Sequence, residues 1–131
     1  FREGHAFRRC PPPLLAHQAG GEEVAFIDIT PDGSGKCIAG LHNPGLGLAV
    51  ALRFQKEQLP WLINWQHWGK GEYVTGLEPA TNPPIGQAGA RAQGTLIHLA
   101  PGESRTYALD IEVLHESDNI QELLQLTQPT H

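Results

Sequence analysis

A carboxylate at position 78 is the side chain of this sequence best placed to do acid–base chemistry. Glu78 ends a strand-like run and is followed at once by Pro79, which cannot donate a hydrogen bond to a neighbouring strand, so pairing is expected to loosen there. A carboxylate held at such a strand end can serve as a general base if its pKa suits the working pH. We therefore predict Glu78 as a catalytic base, the alternative being an ordinary solvated glutamate at the end of a strand.

Amide and indole side chains alternate along another strand-like run a few residues upstream. Sugars present hydroxyl groups that hydrogen-bond to amides, and C–H faces that pack on aromatic rings. Period-two alternation places Asn64, Gln66 and Trp68 on one face, and we predict these three as substrate-binding residues. The alternative is a set of core tryptophans with polar residues pointing outward, and for Trp61 and Trp65 the core position is favoured.

Three further polar residues, His67, Arg53 and Asn82, complete the predicted substrate-binding set. His67 could bind a hydroxyl or transfer a proton near neutral pH, although a lone strand histidine is more often structural. Arg53 lies on the small-residue face of the most regular strand-like run and could bind an anionic or hydroxyl-rich ligand, or be a surface arginine. Asn82 belongs to the polar turn that follows Glu78.

The sequence contains no recognisable metal or cofactor motif. None of the spacings HxH, HxxxH or HExxH occurs among its seven histidines. The glycine-containing stretch 43–47 lacks the lysine and the following helix of a phosphate-binding loop. Cys10 and Cys37 form no CxxC pattern, and two reduced cysteines are favoured over a disulfide. We therefore expect no metal and no cofactor.

Length and composition limit the class of protein. A chain of 131 residues suits one domain with one core. Fifteen glycines and eleven prolines, with 40% hydrophobic residues, favour short strands joined by turns over a helical bundle. A net charge of −5 argues against a nucleic-acid partner. No apolar run of ~18 residues predicts a membrane helix and no leader peptide is visible, so we expect a cytoplasmic protein without a membrane partner.

Hydrophobic alternation and turn residues predict about seven strands followed by one terminal helix. The predicted strands span residues 22–29, 36–41, 46–55, 61–68, 72–78, 94–99 and 105–114, and the helix spans residues 116–126. Ser117 is the expected N-cap of that helix. Residues 79–93, rich in proline and glycine, are expected to form a long loop of a kind that is often functional. The predicted fold is all-β, an antiparallel β-sandwich with a short C-terminal helix.

Three elements, in this order, resemble the C-terminal half of galactose mutarotase-like proteins. They are residues 59–68, residues 71–83 with their Leu-Glu-Pro sequence, and residues 99–107 with their Pro-Gly-Glu turn. The sequence is most similar to an uncharacterised bacterial branch of aldose 1-epimerase-like proteins. The resemblance implies a larger antiparallel sandwich that binds its sugar on a concave sheet. Residues 1–131 would then be the C-terminal part of a single sandwich domain, and its N-terminal portion would be missing from this chain.

The resemblance also implies a reaction, the interconversion of the α and β anomers of an aldose. In the family, a glutamate base takes the proton of the anomeric hydroxyl and a histidine acid protonates the ring oxygen. The base belongs to a leucine-glutamate element, which matches Leu77-Glu78 here. The acid belongs to the N-terminal half, for which no motif matches here, and His67 lies in a different element. The implied partners are a monosaccharide or sugar derivative and an N-terminal fragment of the same protein.

Two other functions remain open from the sequence. A non-catalytic carbohydrate-binding module would keep the sandwich and bind sugar without chemistry. An enzyme that acts on sugar acids or sugar phosphates would depend more on the cations Arg53 and Lys70.

Overall fold

Two antiparallel three-stranded sheets form the computed structural model, which describes residues 6–128. The strands are β1 (Glu23–Ile27), β2 (Lys36–Asn43), β3 (Leu48–Gln55), β4 (Trp61–Gly69), β5 (Glu72–Ala80) and β6 (Leu109–Leu114). The helices are α1 (Gly86–Ala92) and α2 (Ser117–Leu126), and single 3-10 turns span Ala6–Arg8 and Leu15–His17. Sheet I has the strand order β1-β4-β5, and sheet II has the order β2-β3-β6.

The core lies between the two sheets, where the alternating apolar residues of each sheet meet. Its buried members are Cys37, Ala39, Phe54, Leu59 and Leu62, packed against the half-buried Ile27, Ile29 and Leu77. The strand residues of this layer come from alternate positions, because successive side chains of a strand point to opposite faces. The predicted antiparallel β-sandwich is therefore confirmed.

The predicted strand 94–99 is wrong, and the predicted strand 105–114 is shortened to β6. After α1, the backbone N–H groups of Thr95 and Leu96 both donate to the carbonyl of Ala90. These hydrogen bonds end the helix and do not pair the segment with a strand. Within the described residues the stretch 95–99 has no partner strand. The predicted loop 79–93 is also interrupted, since α1 forms within it. A short apolar run does not by itself make a strand where no neighbour supplies hydrogen bonds.

Helix α2 packs on the face of sheet II that points away from sheet I, which confirms the predicted C-terminal helix. The buried contact consists of Ala49, Ala51, Leu114, Ile120 and Leu123. The helix begins at Ser117 with Glu116 as the cap position, and no side chain caps its first turn. The expectation that Ser117 is the N-cap is therefore wrong by one residue.

Gly40 of β2 allows α2 to approach sheet II, and Gly40→Ala is expected to destabilise the fold by about 1–3 kcal/mol. An added methyl group would lie 2.8 Å from the backbone oxygen of Val50 and 2.9 Å from Leu123 Cδ2. The Val50 oxygen belongs to the sheet, so it cannot move aside cheaply. Urea denaturation measures the change. Gly33→Ala is the matched control, because its methyl group would meet no atom within 4 Å. Equal midpoints for both variants would contradict this packing.

Both cysteines are free in the structure. Cys37 lies in the core, where its Sγ atom donates to the carbonyl of Ile29 at 3.8 Å. Burial raises the pKa of the Cys37 thiol, and the nearby ammonium of Lys56 only partly opposes this effect. Cys10 is exposed.

Across residues 6–128, none of the helices combines the length and the apolar character that a membrane crossing requires.

Candidate functional site

An open cavity of about 320 Å³ lies on the face of sheet I that points away from sheet II. Its lining residues are Val24, Ile63, Trp65, Glu78 and Pro84. All three strands of sheet I contribute to its floor, and Pro84 comes from the loop after β5. A cavity with an aromatic ring, apolar side chains and one carboxylate can hold a small polyhydroxylated ring by packing its apolar face and hydrogen-bonding its edge.

The strand register brings the cavity residues together. Trp65 of β4 lies opposite Val24 of β1 on one side and opposite Gly76 of β5 on the other. Ile63 lies opposite Glu78. Residues directly opposite each other in antiparallel strands have their side chains on the same face of the sheet. The carboxylate and the indole therefore share one face, one register row apart.

Glu78 is exposed, and β5 does not end there. The strand continues through Pro79, which lies opposite Leu62, to Ala80. Proline has no N–H group to donate, and it is tolerated at this position because β5 is an edge strand of sheet I as described. The prediction that pairing loosens just after Glu78 is therefore wrong, and the strand itself holds the glutamate.

The predicted amide and indole residues Asn64, Gln66 and Trp68 lie on the opposite face of sheet I from Glu78. Their exposed fractions are 5%, 3% and 2%. They share a face with Leu62, which belongs to the core between the sheets. The structure thus separates them from the predicted base, contrary to the expectation that they would lie beside it. The physical reason is the alternation of side chains along β4, which sends neighbouring residues to opposite faces.

These buried polar groups form a hydrogen-bonded row along β4, which we call the buried polar row (Asn64, Gln66 and Trp68). Trp68 Nε1 donates to Gln66 Oε1 at 3.2 Å. Gln66 Nε2 donates to Asn64 Oδ1 and, at 3.0 Å, to the carbonyl of Phe7. Asn64 Nδ2 donates to Thr75 Oγ1 at 2.8 Å. Buried polar groups need such partners, and the row supplies them to its own members.

His67 lies on the same face as Glu78 but outside the cavity lining. It is four residues along β4 from Ile63, the partner of Glu78, which corresponds to roughly 13 Å. The residue is 6% exposed. Its Nε2 atom lies 3.3 Å from Glu72 Oε2 without the geometry of a hydrogen bond. The ring of His17, from the 3-10 turn Leu15–His17, packs edge-on at a centroid distance of 5.9 Å.

Arg53 and Asn82 are also held away from the cavity. Arg53 belongs to β3 of sheet II, where its Nε atom pairs with Glu112 Oε2 at 3.5 Å. Asn82 follows β5, where its Oδ1 accepts from Thr81 Oγ1 at 2.8 Å and its Nδ2 donates to the carbonyl of Pro83 at 3.2 Å. Neither side chain joins Glu78. Among residues 6–128 there is also no group of three potential ligands that could hold a metal ion.

Sequence reasoning missed Val24, Ile63 and Pro84 as cavity residues and favoured the core for Trp65. Alternation alone could have grouped Trp65 with Ile63, and Glu78 with Gly76. It could not have shown that these two groups meet, because that depends on the pairing register of β4 with β5.

The comparisons with known proteins agree with this architecture. Residues 2–113 match the family described as "Domain of unknown function (DUF4432)". The chain belongs to the DUF4432 family. This DUF4432 chain is also similar to the crystal structure of "a putative aldose 1-epimerase" from Klebsiella pneumoniae, with 26% sequence identity and a TM-score of 0.71. No curated protein is similar enough to count as a relative.

The similarity to the Klebsiella protein covers 82% of the DUF4432 chain and 29% of that structure's own chain. The DUF4432 chain thus spans less than a third of the length of the protein it resembles. This structural similarity supports the galactose mutarotase-like resemblance at the level of the fold.

Proposed function

We propose that this DUF4432 chain belongs to an aldose 1-epimerase-like protein that binds a neutral monosaccharide in the cavity of sheet I. The observation that carries the proposal is the pairing of an indole, Trp65, with a carboxylate, Glu78, on one face of that sheet. The similarity to the Klebsiella protein, which is described as "a putative aldose 1-epimerase", supports the same reaction class. The reaction is the interconversion of α and β anomers.

The proposed chemistry gives each cavity residue a role. The apolar face of the sugar packs on Trp65. Glu78 accepts the proton of the anomeric hydroxyl while the bond between the anomeric carbon and the ring oxygen breaks, and an acid supplies a proton to the ring oxygen. The open-chain aldehyde rotates about its C1–C2 bond, and the reverse proton transfers close the ring. We assign the acid to the rest of the protein, because His67 lies under a 3-10 turn outside the cavity.

The charges around the cavity favour neutral sugars over sugar acids and sugar phosphates. The charged lining residue is the carboxylate of Glu78, and among the described residues no lysine or arginine lines the cavity. Arg53 lies on sheet II beside Glu112, and Lys70 is exposed in the turn between β4 and β5. An anionic ligand would meet repulsion without a compensating cation.

A non-catalytic carbohydrate-binding module is the second candidate function. It is favoured by one specific observation, the absence of an acid partner for Glu78 among the described cavity residues. Binding by aromatic packing and hydrogen bonds needs no such partner. The two candidates therefore differ in chemistry and agree on the site.

An exposed apolar surface supports the proposal that the chain is the C-terminal part of a larger sandwich domain. Ile111 and Val113 of β6 are 67% and 64% exposed, and Leu41 and Leu48 are each 41% exposed. By register these residues share the face of sheet II that carries Leu52 and points toward sheet I. Contiguous exposed apolar surface marks a contact with another element. We assign that contact to an N-terminal portion of the same protein, and the free cysteines favour a reducing, cytoplasmic location.

Polarimetry of the complete protein tests the proposal. A freshly dissolved single anomer of a neutral aldose, such as α-D-glucose or α-D-galactose, is expected to equilibrate faster than it does spontaneously. Glucuronate and glucose 6-phosphate are expected to show no such acceleration. Binding of a neutral aldose without acceleration would identify the binding module instead. A protein that neither binds nor interconverts any neutral aldose would contradict both candidates.

A further inference from the structure

The side chain of Glu78 is not perpendicular to sheet I. It runs along its own strand toward Gly76, and its carboxyl group lies over that glycine. A methyl group built on Gly76 would lie 2.5 Å from Glu78 Oε1 and 3.3 Å from its Cδ atom. The carboxyl group therefore occupies the space that a side chain at position 76 would fill. Side chains of a strand normally stand roughly perpendicular to the sheet, so the missing side chain at Gly76 is what opens this position to the carboxylate.

Glycine matters at position 76 for its small size and not for its backbone conformation. The φ angle of Gly76 lies outside the left-handed region that favours glycine. An L-amino acid could therefore adopt the same backbone angles. A glycine in the interior of a strand often marks a place where another group approaches closely. Here the approaching group is the carboxylate of Glu78, two residues further along the same face.

The register shows what this conformation achieves. Gly76 lies opposite Trp65, whereas Glu78 lies opposite Ile63. By lying back over Gly76, the carboxylate moves from the row of Ile63 toward the row of Trp65, on the floor of the cavity. A sugar ring packed on the indole presents its hydroxyl groups at the ring edge. The carboxylate is then already placed beside that edge before the sugar binds, which is the kind of preorganisation that general-base catalysis needs.

We propose that Gly76 is a positioning residue. Because it has no side chain, the Glu78 carboxylate lies over the row of Trp65, where it reaches a hydroxyl group of the bound sugar. The part of this inference that concerns the sugar rests on the proposed function. The position of the carboxylate does not rest on the proposed function, and it can be measured without any sugar.

Gly76→Ala tests the inference with two readouts. The new methyl group would meet the flexible end of the Glu78 side chain, so we expect the fold to persist and the carboxylate to swing away. A crystal structure of the variant is expected to show sheet I unchanged and the carboxylate displaced from the row of Trp65. The kcat for anomer interconversion is expected to fall about 10²-fold, with KM changed by less than about 2-fold. Gly33→Ala is the matched control, because Gly33 does not line the cavity and its methyl group would meet no atom within 4 Å, so both constants should be unchanged.

The double variant distinguishes positioning from a general structural effect. If Gly76 acts through Glu78, then adding Gly76→Ala to Glu78→Gln should cause no further fall in kcat. An equal fall in both backgrounds would overturn the inference, and so would a Gly76→Ala structure in which the carboxylate has not moved. If the wild-type protein acts on no aldose, the proposed function is contradicted, whereas a displaced carboxylate in the variant still supports the positioning role of Gly76.

Discussion

Glu78→Gln is expected to lower the kcat of anomer interconversion by about 10²–10⁴-fold, the usual contribution of a general base. Glutamine has nearly the same size and shape as glutamate but cannot accept a proton from the anomeric hydroxyl. Its amide can still hydrogen-bond to the sugar, so KM should change much less than kcat. Polarimetry at several sugar concentrations separates the two constants.

The matched control for this prediction is Glu57→Gln, which removes a carboxylate in an exposed turn between β3 and β4. Glu78 is itself exposed, so neither substitution should reduce the melting temperature by more than a few degrees, roughly 0.5 kcal/mol of stability. Circular dichroism checks that the fold is intact. A Glu78→Gln variant that keeps the wild-type kcat would remove this residue from the mechanism. The cavity would then be a binding site only.

Gln66→Ala is expected to destabilise the protein by about 3 kcal/mol. Each buried hydrogen-bonding group left without a partner costs about 1–3 kcal/mol. The substitution removes the acceptor of Trp68 Nε1 and the donor to the carbonyl of Phe7. It would thus weaken both the interior of sheet I and the attachment of the N-terminal segment. Urea denaturation measures the loss, and the sugar affinity of the folded protein should stay within about 2-fold of wild type.

Gln121→Ala provides the matched control, because Gln121 is exposed on α2 and its loss should cost less than about 0.5 kcal/mol. The pair of measurements decides between the two roles considered for the amides of β4. If Gln66→Ala kept full stability and lost sugar affinity, then Gln66 would be a ligand-binding residue after all. Loss of stability with affinity retained would assign the buried polar row to the interior of the sandwich.

The sequence was most informative about local order. Alternation in Leu48–Gln55 and Trp61–Gly69 identified β3 and β4 almost to the residue. The helical spacing of Ile120 and Leu123 identified α2 and the face it buries. These features are predictable because the periods of 2 and 3.6 residues are properties of the backbone itself. The prediction failed for residues 94–99, where a short apolar run is present but no strand lies alongside.

The candidate site shows the same difference between local features, which the sequence predicts, and long-range contacts, which it does not. Its glutamate and its tryptophan could be selected from the sequence by residue type, and alternation assigned each to one face of its own strand. The pairing of Ile63 with Glu78 determines which face of β4 lies beside the glutamate. The packing of the two sheets determines which face of β4 is buried against sheet II. A shift of one residue would have placed Gln66 beside the carboxylate and Trp65 in the core. Side-chain alternation is local, whereas strand pairing and sheet packing join residues that are far apart in the chain, so only the tertiary structure decided which groups share the cavity.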